Sequence, residues 1–370
     1  MRRECIAPRR DWRQKVEALG LDFHTNDGQP YWWEAACYGF SAAEIDVLEE
    51  ATETLHKLCL EAVERIVSQR DFARLAIPEA YWDWIAASWR RGDPDIYGRF
   101  DFSYDGSGPP KLLEYNADTP TALLEAAVVQ WYWLEEVKPD CDQFNSIHEK
   151  LIAAWAELRR RHPQIPMVHF AGVTEEPEDA RTVEYMRDVC QQGGWQTEPL
   201  DMSQLGWNGS RFTDLAEQPI AALFKLYPWE WMLRERFGAN LLADRTAFVE
   251  PPWKMLLSNK AVLALLWEMF PDHPNLLPAA FERSRIAGPC VEKPVHGREG
   301  GGVHLLAATE TGSARRGRVY QAAAPLPVFD GMYTLIGSWV VAGQAAGMGL
   351  REDTSPITGN TSRFVPHYFR

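Results

Sequence analysis

The chain has 370 residues, 46% of them hydrophobic and 24% charged, and a formal net charge of −14. That length supports one or two domains around a large core, and the composition is that of an ordinary soluble globular protein. The acidic balance argues against nucleic acid or an anionic membrane as the main partner and accords with a cationic substrate.

In chain order, Met1-Arg2-Arg3-Glu4-Cys5 is followed by no apolar run, so no signal peptide is expected. No stretch approaches the roughly 18–20 apolar residues of a membrane-spanning helix. Cys5, Cys37, Cys59, Cys141, Cys190 and Cys290 form neither a CxxC pair nor a zinc-spaced Cys/His cluster. Scattered cysteines of this kind read as free thiols in a reducing cytoplasm. Residues 10–70 are expected to be helical. Ser41-Ala42-Ala43-Glu44 is a capping box, and an amphipathic run follows it through Val67. The clustered tryptophans (Trp82, Trp84 and Trp89; Trp131 and Trp133; Trp229 and Trp231) read as packing.

Next comes a hairpin. Phe100, Phe102 and Tyr104 alternate with Arg99, Asp101 and Ser103; Leu113 and Tyr115 alternate with Leu112, Glu114 and Asn116. Alternation of period two marks a half-buried strand, and Asp105-Gly106-Ser107-Gly108-Pro109-Pro110 supplies the turn. Symmetric pairing sets Tyr104 against Lys111, Asp101 against Glu114 and Arg99 against Asn116. Facing carboxylates repel, and a cation between them removes that cost. Asp101, Glu114 and Asn116 are thus an oxygen-ligand set suited to Mg²⁺. Alternation alone fits a surface hairpin with a wet polar face equally well.

Pro120 then opens an expected helix beginning near Thr119. Residues 166–220 carry the rhythm of a small parallel α/β module. Met167–Phe170 is a strand, 178–192 a helix ended by Gly193-Gly194, and Leu200-Asp201-Met202 begins another strand region. Ser258-Asn259-Lys260-Ala261 leads into a helix through Phe270. The apolar strand Cys290–Pro294 precedes Gly297-Arg298-Glu299-Gly300-Gly301-Gly302 and a returning strand to Leu306. A glycine-rich turn between strands lets backbone N–H groups approach anionic oxygens, although most such turns are only hairpins. It is neither a Walker nor a Rossmann fingerprint. Val319-Tyr320-Gln321 and Tyr333–Val341 read as strands, and Leu350–Asn360 as a polar loop.

Six blocks, in order, resemble the synthetase domain of the glutathionylspermidine synthase family, including its shorter relatives named for acid–amine ligation. They are Arg99-Phe100-Asp101, Glu114-Tyr115-Asn116-Ala117-Asp118, Ser258-Asn259-Lys260-Ala261, Lys293-Pro294 with Gly297-Arg298, Tyr320-Gln321, and Arg351-Glu352-Asp353. The likeness runs from about residue 10 to the end, and the family's amidase part is not within it. The resemblance implies an α+β, ATP-grasp fold in which the metal ligands precede the nucleotide-binding lysines, the reverse of the usual order. It implies a helical N-terminal region with the hairpin (1–160), a small pre-ATP-grasp-like α/β module (161–245) and a nucleotide-binding lid with C-terminal strands (246–370), together one synthetase unit.

The resemblance also implies roles. Asp101, Glu114 and Asn116 hold Mg²⁺. Lys260, Lys293, Gly300 and Gly301 meet ATP phosphates, and Tyr320 and Gln321 lie by the adenine. Arg99 and Arg298 meet the acyl phosphate and the tetrahedral intermediate, and Arg351 helps bind the acid substrate or the transferred phosphate. Asp118, Thr119 and Thr121 line the substrate site. The implied activity is amide formation from a small-molecule carboxylate, peptide-like or not, and an amine, by a monomer or homodimer that uses neither nucleic acid nor membrane. Two departures stand out: Ala122 replaces a family cysteine, and Ala322-Ala323-Ala324 replaces a common acidic position. Alternatives are an ATP-binding protein without ligase turnover that acts through a partner, and a phosphotransferase whose product is the phosphorylated acid.

Overall fold

The computed structural model describes residues 1–370 apart from 27, 299, 313–316 and 360–361. Glu299 of the glycine-rich turn and Asn360 at the end of the polar stretch lie outside the described residues. The N-terminal region is less helical than its composition suggests. Strand β1 (Arg2–Cys5), helix α1 (Trp12–Ala18) and strand β2 (Ala36–Phe40) precede the long helix α2 (Ala42–Gln69). Gly20, Gly28 and Pro30 interrupt any continuous helix, and β2 is held by distant partners. It pairs antiparallel with β1 and parallel with the C-terminal strand His367–Phe369. Helix α2 starts at the expected capping box: Ser41 Oγ accepts from Glu44 N at 3.3 Å, and Ser41 N donates to Glu44 Oε2 at 2.7 Å. Leu48, Leu55, Cys59, Ala62, Val63 and Ile66 give it one buried face.

After helix α3 (Trp82–Arg91) the predicted hairpin forms from β3 (Tyr97–Ser103) and β4 (Lys111–Asn116). Arg99 faces Asn116 and Asp101 faces Glu114, as symmetry about the turn requires, but Ser103 rather than Tyr104 faces Lys111. The correction comes from a bulge. Phe102 pairs with Leu112, so Leu113 is an extra residue on β4. The helix expected from Thr119 begins instead at Leu123, because Ala122 takes a left-handed φ of +64°. A π-turn (Glu125–Val129) then leads into α4 (Gln130–Val137) and α5 (Ile147–Arg161).

The α/β module is present as a parallel sheet. Strands β5 (Met167–Gly172), β6 (Gln196–Asp201), β7 (Ala222–Leu226) and β8 (Ala247–Val249) stand in the order β8-β7-β5-β6, with α6 (Pro177–Gln192) crossing between β5 and β6. Leu200 and Asp201 end a strand rather than begin one. The short helix α7 (Trp229–Met232) follows β7.

Helix α8 (Val262–Met269) leads to a second antiparallel sheet of β9 (Ala279–Ala280), β10 (Cys290–Pro294), β11 (His304–Leu306) and β12 (Arg318–Ala322), ordered β9-β12-β10-β11. The glycine-rich turn joins β10 to β11. Strands β13 (Met332–Val341), β14 (Gln344–Asp353) and β15 (Arg363–Val365) extend the hairpin into one sheet, β15-β14-β13-β3-β4, and β16 (His367–Phe369) closes the chain. Leu350–Asp353 therefore lies in β14, not in a loop. Its polar residues are strand because β13 and β15 flank them, and Glu352 is buried against Arg3 (Nε–Oε2 2.8 Å) and Tyr38 (Oη–Oε2 2.9 Å). Among the described residues, no helix is long and apolar enough to cross a membrane.

Candidate active site

Strand β3 turns Phe100 and Phe102 into the core, with Phe100 stacked on Tyr115 at 3.9 Å. The intervening residues Arg99 and Asp101 share the other face by alternation. Arg99 forks onto Asp101, Nε to Oδ1 at 2.7 Å and Nη2 to Oδ2 at 3.1 Å, and gives Nη1 to the Thr121 carbonyl at 2.7 Å. Burial opposes the Arg99 charge, but the Asp101 carboxylate more than offsets it and raises the pKa. Asn116 Nδ2 bridges the two facing carboxylates, 3.2 Å from Asp101 Oδ2 and 3.3 Å from Glu114 Oε1. Pairing in the hairpin is what brings these three side chains together.

Two lysines reach the cluster from later segments. Lys260 Nζ lies 3.1 Å from Glu114 Oε2 and 2.7 Å from the Gly297 carbonyl at the root of the glycine-rich turn. Lys293 Nζ donates to Gln321 Oε1 at 2.7 Å and to the Leu113 carbonyl at 2.8 Å. The bulge thus exposes the carbonyl that seats Lys293. Burial pushes Lys293 down to about 8 even though Glu114 and Asp101 favour its charge. Burial also opposes the Glu114 charge, yet Lys260 and Lys293 hold that carboxyl down at about 2. Gln321 Nε2 completes the link with a 2.9 Å bond to the Leu112 carbonyl.

The other expected residues surround this core unevenly. Arg298 donates to Thr119 Oγ1 and lies 5.6 Å from the Trp231 ring. Gly300 has a φ of +68°, and a Cβ there would stand 2.8 Å from the Thr358 carbonyl oxygen. The glycine-rich turn therefore rests on the loop after Arg351. The Gly301 N–H is spent on the Arg298 carbonyl at 2.8 Å. Arg351 donates to the Gly359 carbonyl; among the described residues its buried Nε has no partner and no hydrogen bond joins it to the Asp101–Lys293 network. Tyr320 packs with Ala280, Ile286 and Cys290, on the sheet face away from Gln321. Of Thr121, the carbonyl rather than the hydroxyl is what Arg99 engages.

Both oxygens of Asp118 are taken within the protein. Oδ1 meets Lys225 Nζ at 2.6 Å, and Oδ2 accepts from Trp229 N at 3.0 Å. Sequence reasoning passed over Lys225. Its signal was a lone lysine inside the apolar run Ala221-Ala222-Leu223-Phe224-Lys225-Leu226, a position where a solvated lysine has no place.

The donor set suits a divalent cation. Two carboxylates face each other across a strand pair, and a primary amide fills the gap between them. A half-turn of that amide presents its oxygen instead of its nitrogen. Asp101 spends one bond per oxygen on Arg99, and each carboxylate oxygen has a second lone pair. Among the described residues, no group of three or more His, Cys, Asp or Glu gathers as a metal site; this set counts two carboxylates and an amide. Arg99, Lys260, Lys293 and Arg298 set four cations against Asp101 and Glu114. Such a cluster of cations within a chain of net charge −14 is chemically suited to a polyanion. A cavity of about 360 Å³ lined by Trp155, Trp195 and Phe248 opens elsewhere, and none of these site residues lines it.

Comparisons with known proteins bear on this geometry. The family model described as glutathionylspermidine synthase preATP-grasp matches residues 3–370. A Haemophilus influenzae protein that bears the name of an acid–amine ligase is 43% identical over 383 residues, covering 98% of this chain and 97% of the relative. Trypanothione synthetase of Crithidia fasciculata is 30% identical over 353 residues, 84% of this chain and 53% of that protein. The bifunctional glutathionylspermidine synthetase/amidase of Escherichia coli is 28% identical over 358 residues, 86% of this chain and 57% of that protein. This chain thus spans little more than half of the last two. A glutathione synthetase-like effector from Globodera pallida shares the fold, with a TM-score of 0.58 over 97% of this chain and 96% of that one, at 12% identity.

Proposed function

Because this chain belongs to the glutathionylspermidine synthase family, we propose that it is an ATP- and Mg²⁺-dependent ligase, of permuted ATP-grasp architecture, that joins a carboxylate to an amine. The observation that carries the reading is the convergence of Arg99, Asp101, Glu114, Asn116, Lys260 and Lys293, from three separate segments, into one buried network. Joining a carboxylate to an amine in water is uphill. The acid's oxygen attacks the terminal phosphorus of ATP, ADP leaves, and an acyl phosphate forms. The amine nitrogen then attacks the acyl carbon, inorganic phosphate leaves, and the nitrogen loses a proton.

Each residue has a part in this. Asp101, Glu114 and Asn116 would hold Mg²⁺, which supplies neutralisation of phosphate charge when bound. Lys260 and Lys293 bind phosphate oxygens, and the turn that carries Gly300 and Gly301 covers them, the Gly301 N–H being held by the Arg298 carbonyl. Gln321 orients Lys293, and Tyr320 and Gln321 lie by the base. Arg99, already aimed by Asp101, grips the acyl phosphate and the tetrahedral oxyanion with its fork. Arg298 rides on the glycine-rich turn and excludes water from the mixed anhydride as that turn closes. Arg351 has a free donor for the acid. The six free thiols accord with a cytoplasmic setting, and a monomer or homodimer suffices.

The test is ADP release from a matrix of acids and amines, with products identified by mass spectrometry. The reading requires release that depends on Mg²⁺, acid and amine together and that Asp101→Ala abolishes. Release without amine would assign a phosphotransferase. ATP binding without release under any pair would assign a binding protein that acts through a partner.

A further inference from the structure

The segment that joins the hairpin to the first helical turn, residues 117–122, is where two of the site's arginines find their acceptors. Arg298 bonds Thr119 Oγ1 and Arg99 bonds the Thr121 carbonyl. Among the described residues, no backbone–backbone hydrogen bond holds residues 118–121. Three side-chain attachments do the work instead. Two are the arginines themselves, which must be free to serve substrate. The third is Asp118, bonded to Lys225 at the end of β7 and to the first N–H of α7.

Asp118 is the one charged partner of Lys225 among the described residues. Lys225 is fully buried, and Asp118 is 2% exposed. Beyond Asp118, its ammonium meets the Tyr227 carbonyl at 3.0 Å and the Trp229 ring centroid at 4.2 Å. A buried ion pair is a poor device for stability alone, since an apolar pair of like volume does as well or better. What it adds is a fixed geometry between two elements, here the hairpin sheet and the parallel sheet. We propose that Lys225 is a positioning residue for the ligase reaction. Through Asp118 it clamps the 117–122 segment to the α/β module, so that Thr119 and the Thr121 carbonyl hold Arg298 and Arg99 at the reacting phosphate. Asp118 thereby becomes an anchor rather than a substrate contact. The role rests on the ligase reading above.

The test compares Lys225→Met with the double variant Lys225→Met/Asp118→Asn, which leaves no unpaired buried charge and keeps the protein folded if the single variant fails. Amide hydrogen exchange at Ala126, whose N–H bonds the Ala122 carbonyl at the end of this segment at 3.3 Å, should speed up at least tenfold in the double variant, with the lysine-bearing sheet unchanged. Its kcat should fall at least thirtyfold while the KM for ATP stays within threefold. A role in folding alone would lower the fraction of folded protein and leave turnover per folded molecule untouched, which would overturn the proposal. Exchange is read without turnover, so the two ideas fail differently. Native exchange in the variants overturns the clamp, whereas an unaltered protein that consumes no ATP overturns the reading the clamp serves.

Discussion

Gly337 offers the sharpest test of how Arg99 is aimed. It sits on β13 directly opposite Asp101, and the Arg99 stem lies across it. A Cβ added there would stand 2.7 Å from Arg99 Cδ and 3.1 Å from Nε, where ordinary contact begins at 3.4 Å. Gly337→Ala therefore forces the stem back by about 0.7 Å, the difference between 3.4 and 2.7 Å. The guanidinium has nowhere equivalent to go, because its fork is set by Asp101 and the Thr121 carbonyl. Displacements of this order cost on the order of 10–100-fold in rate, about 1.4–2.7 kcal/mol of barrier. Overpacking adds a stability loss of about 1–3 kcal/mol. The assay is ADP release with the acid–amine pair found by the screen, alongside thermal unfolding and calorimetric ATP titration. Turnover should fall 10–100-fold with ATP affinity unchanged, since Lys260 and Lys293 come from other segments. Native turnover in folded Gly337→Ala would refute the argument, as would a parallel loss of ATP binding.

Lys293→Met keeps side-chain length and removes a buried charge. The bonds lost at the Leu113 carbonyl and Gln321, about 1–3 kcal/mol for each buried group left unmet, are offset by the charge no longer buried. The melting temperature should move by only a few degrees while calorimetric ATP affinity drops at least tenfold; native affinity would remove Lys293 from the phosphate site. Mg²⁺-ATP at a hundredfold excess over its Kd should stabilise the protein by about 2.7 kcal/mol. Scanning fluorimetry should show that gain vanish in Asp101→Asn/Glu114→Gln, and its survival there would dismiss the oxygen-ligand set. His367 is fully buried, with Gln130 Oε1 on Nδ1 at 2.9 Å, and burial pushes its pKa down from 6.5 to about 3. A histidine kept neutral in the fold contributes stability that is complete above pH 6.5 and is lost as pH falls toward 3, at about 1.4 kcal/mol per pH unit. His367→Asn, which still offers Gln130 a donor, should flatten urea-unfolding stability over that window relative to the unaltered protein; equal slopes would refute the assignment.

Local pattern carried far in this chain. Capping chemistry at Ser41 and Glu44 needs only neighbours three residues apart, and period-two alternation needs only the pleat, so α2 and the hairpin were legible from residues alone. The pairing of Asp101 with Glu114 and of Arg99 with Asn116 followed from symmetry about the turn, because that half of the ladder lies beyond the bulge in register with its prediction. The α/β module was legible from its strand–helix rhythm and the Gly193-Gly194 stop, though the start of β6 was not.

What sequence could not settle depends on partners distant along the chain. Leu350–Asp353 is polar by composition and becomes strand because β13 and β15 flank it. Ala36–Phe40 is strand for the same reason, held between the two chain ends. The Leu113 bulge is invisible in the alternation, yet it frees the carbonyl that seats Lys293. Lys225 reads as a lone charge in an apolar run until Asp118, 107 residues earlier, is seen against it. The residue types of the site and the hairpin that gathers its carboxylates follow from turn chemistry and side-chain period, which are local. Tertiary structure alone decided which lysine meets which carbonyl and what anchors the arginine acceptors, since burial of a charge is a property of everything packed around it.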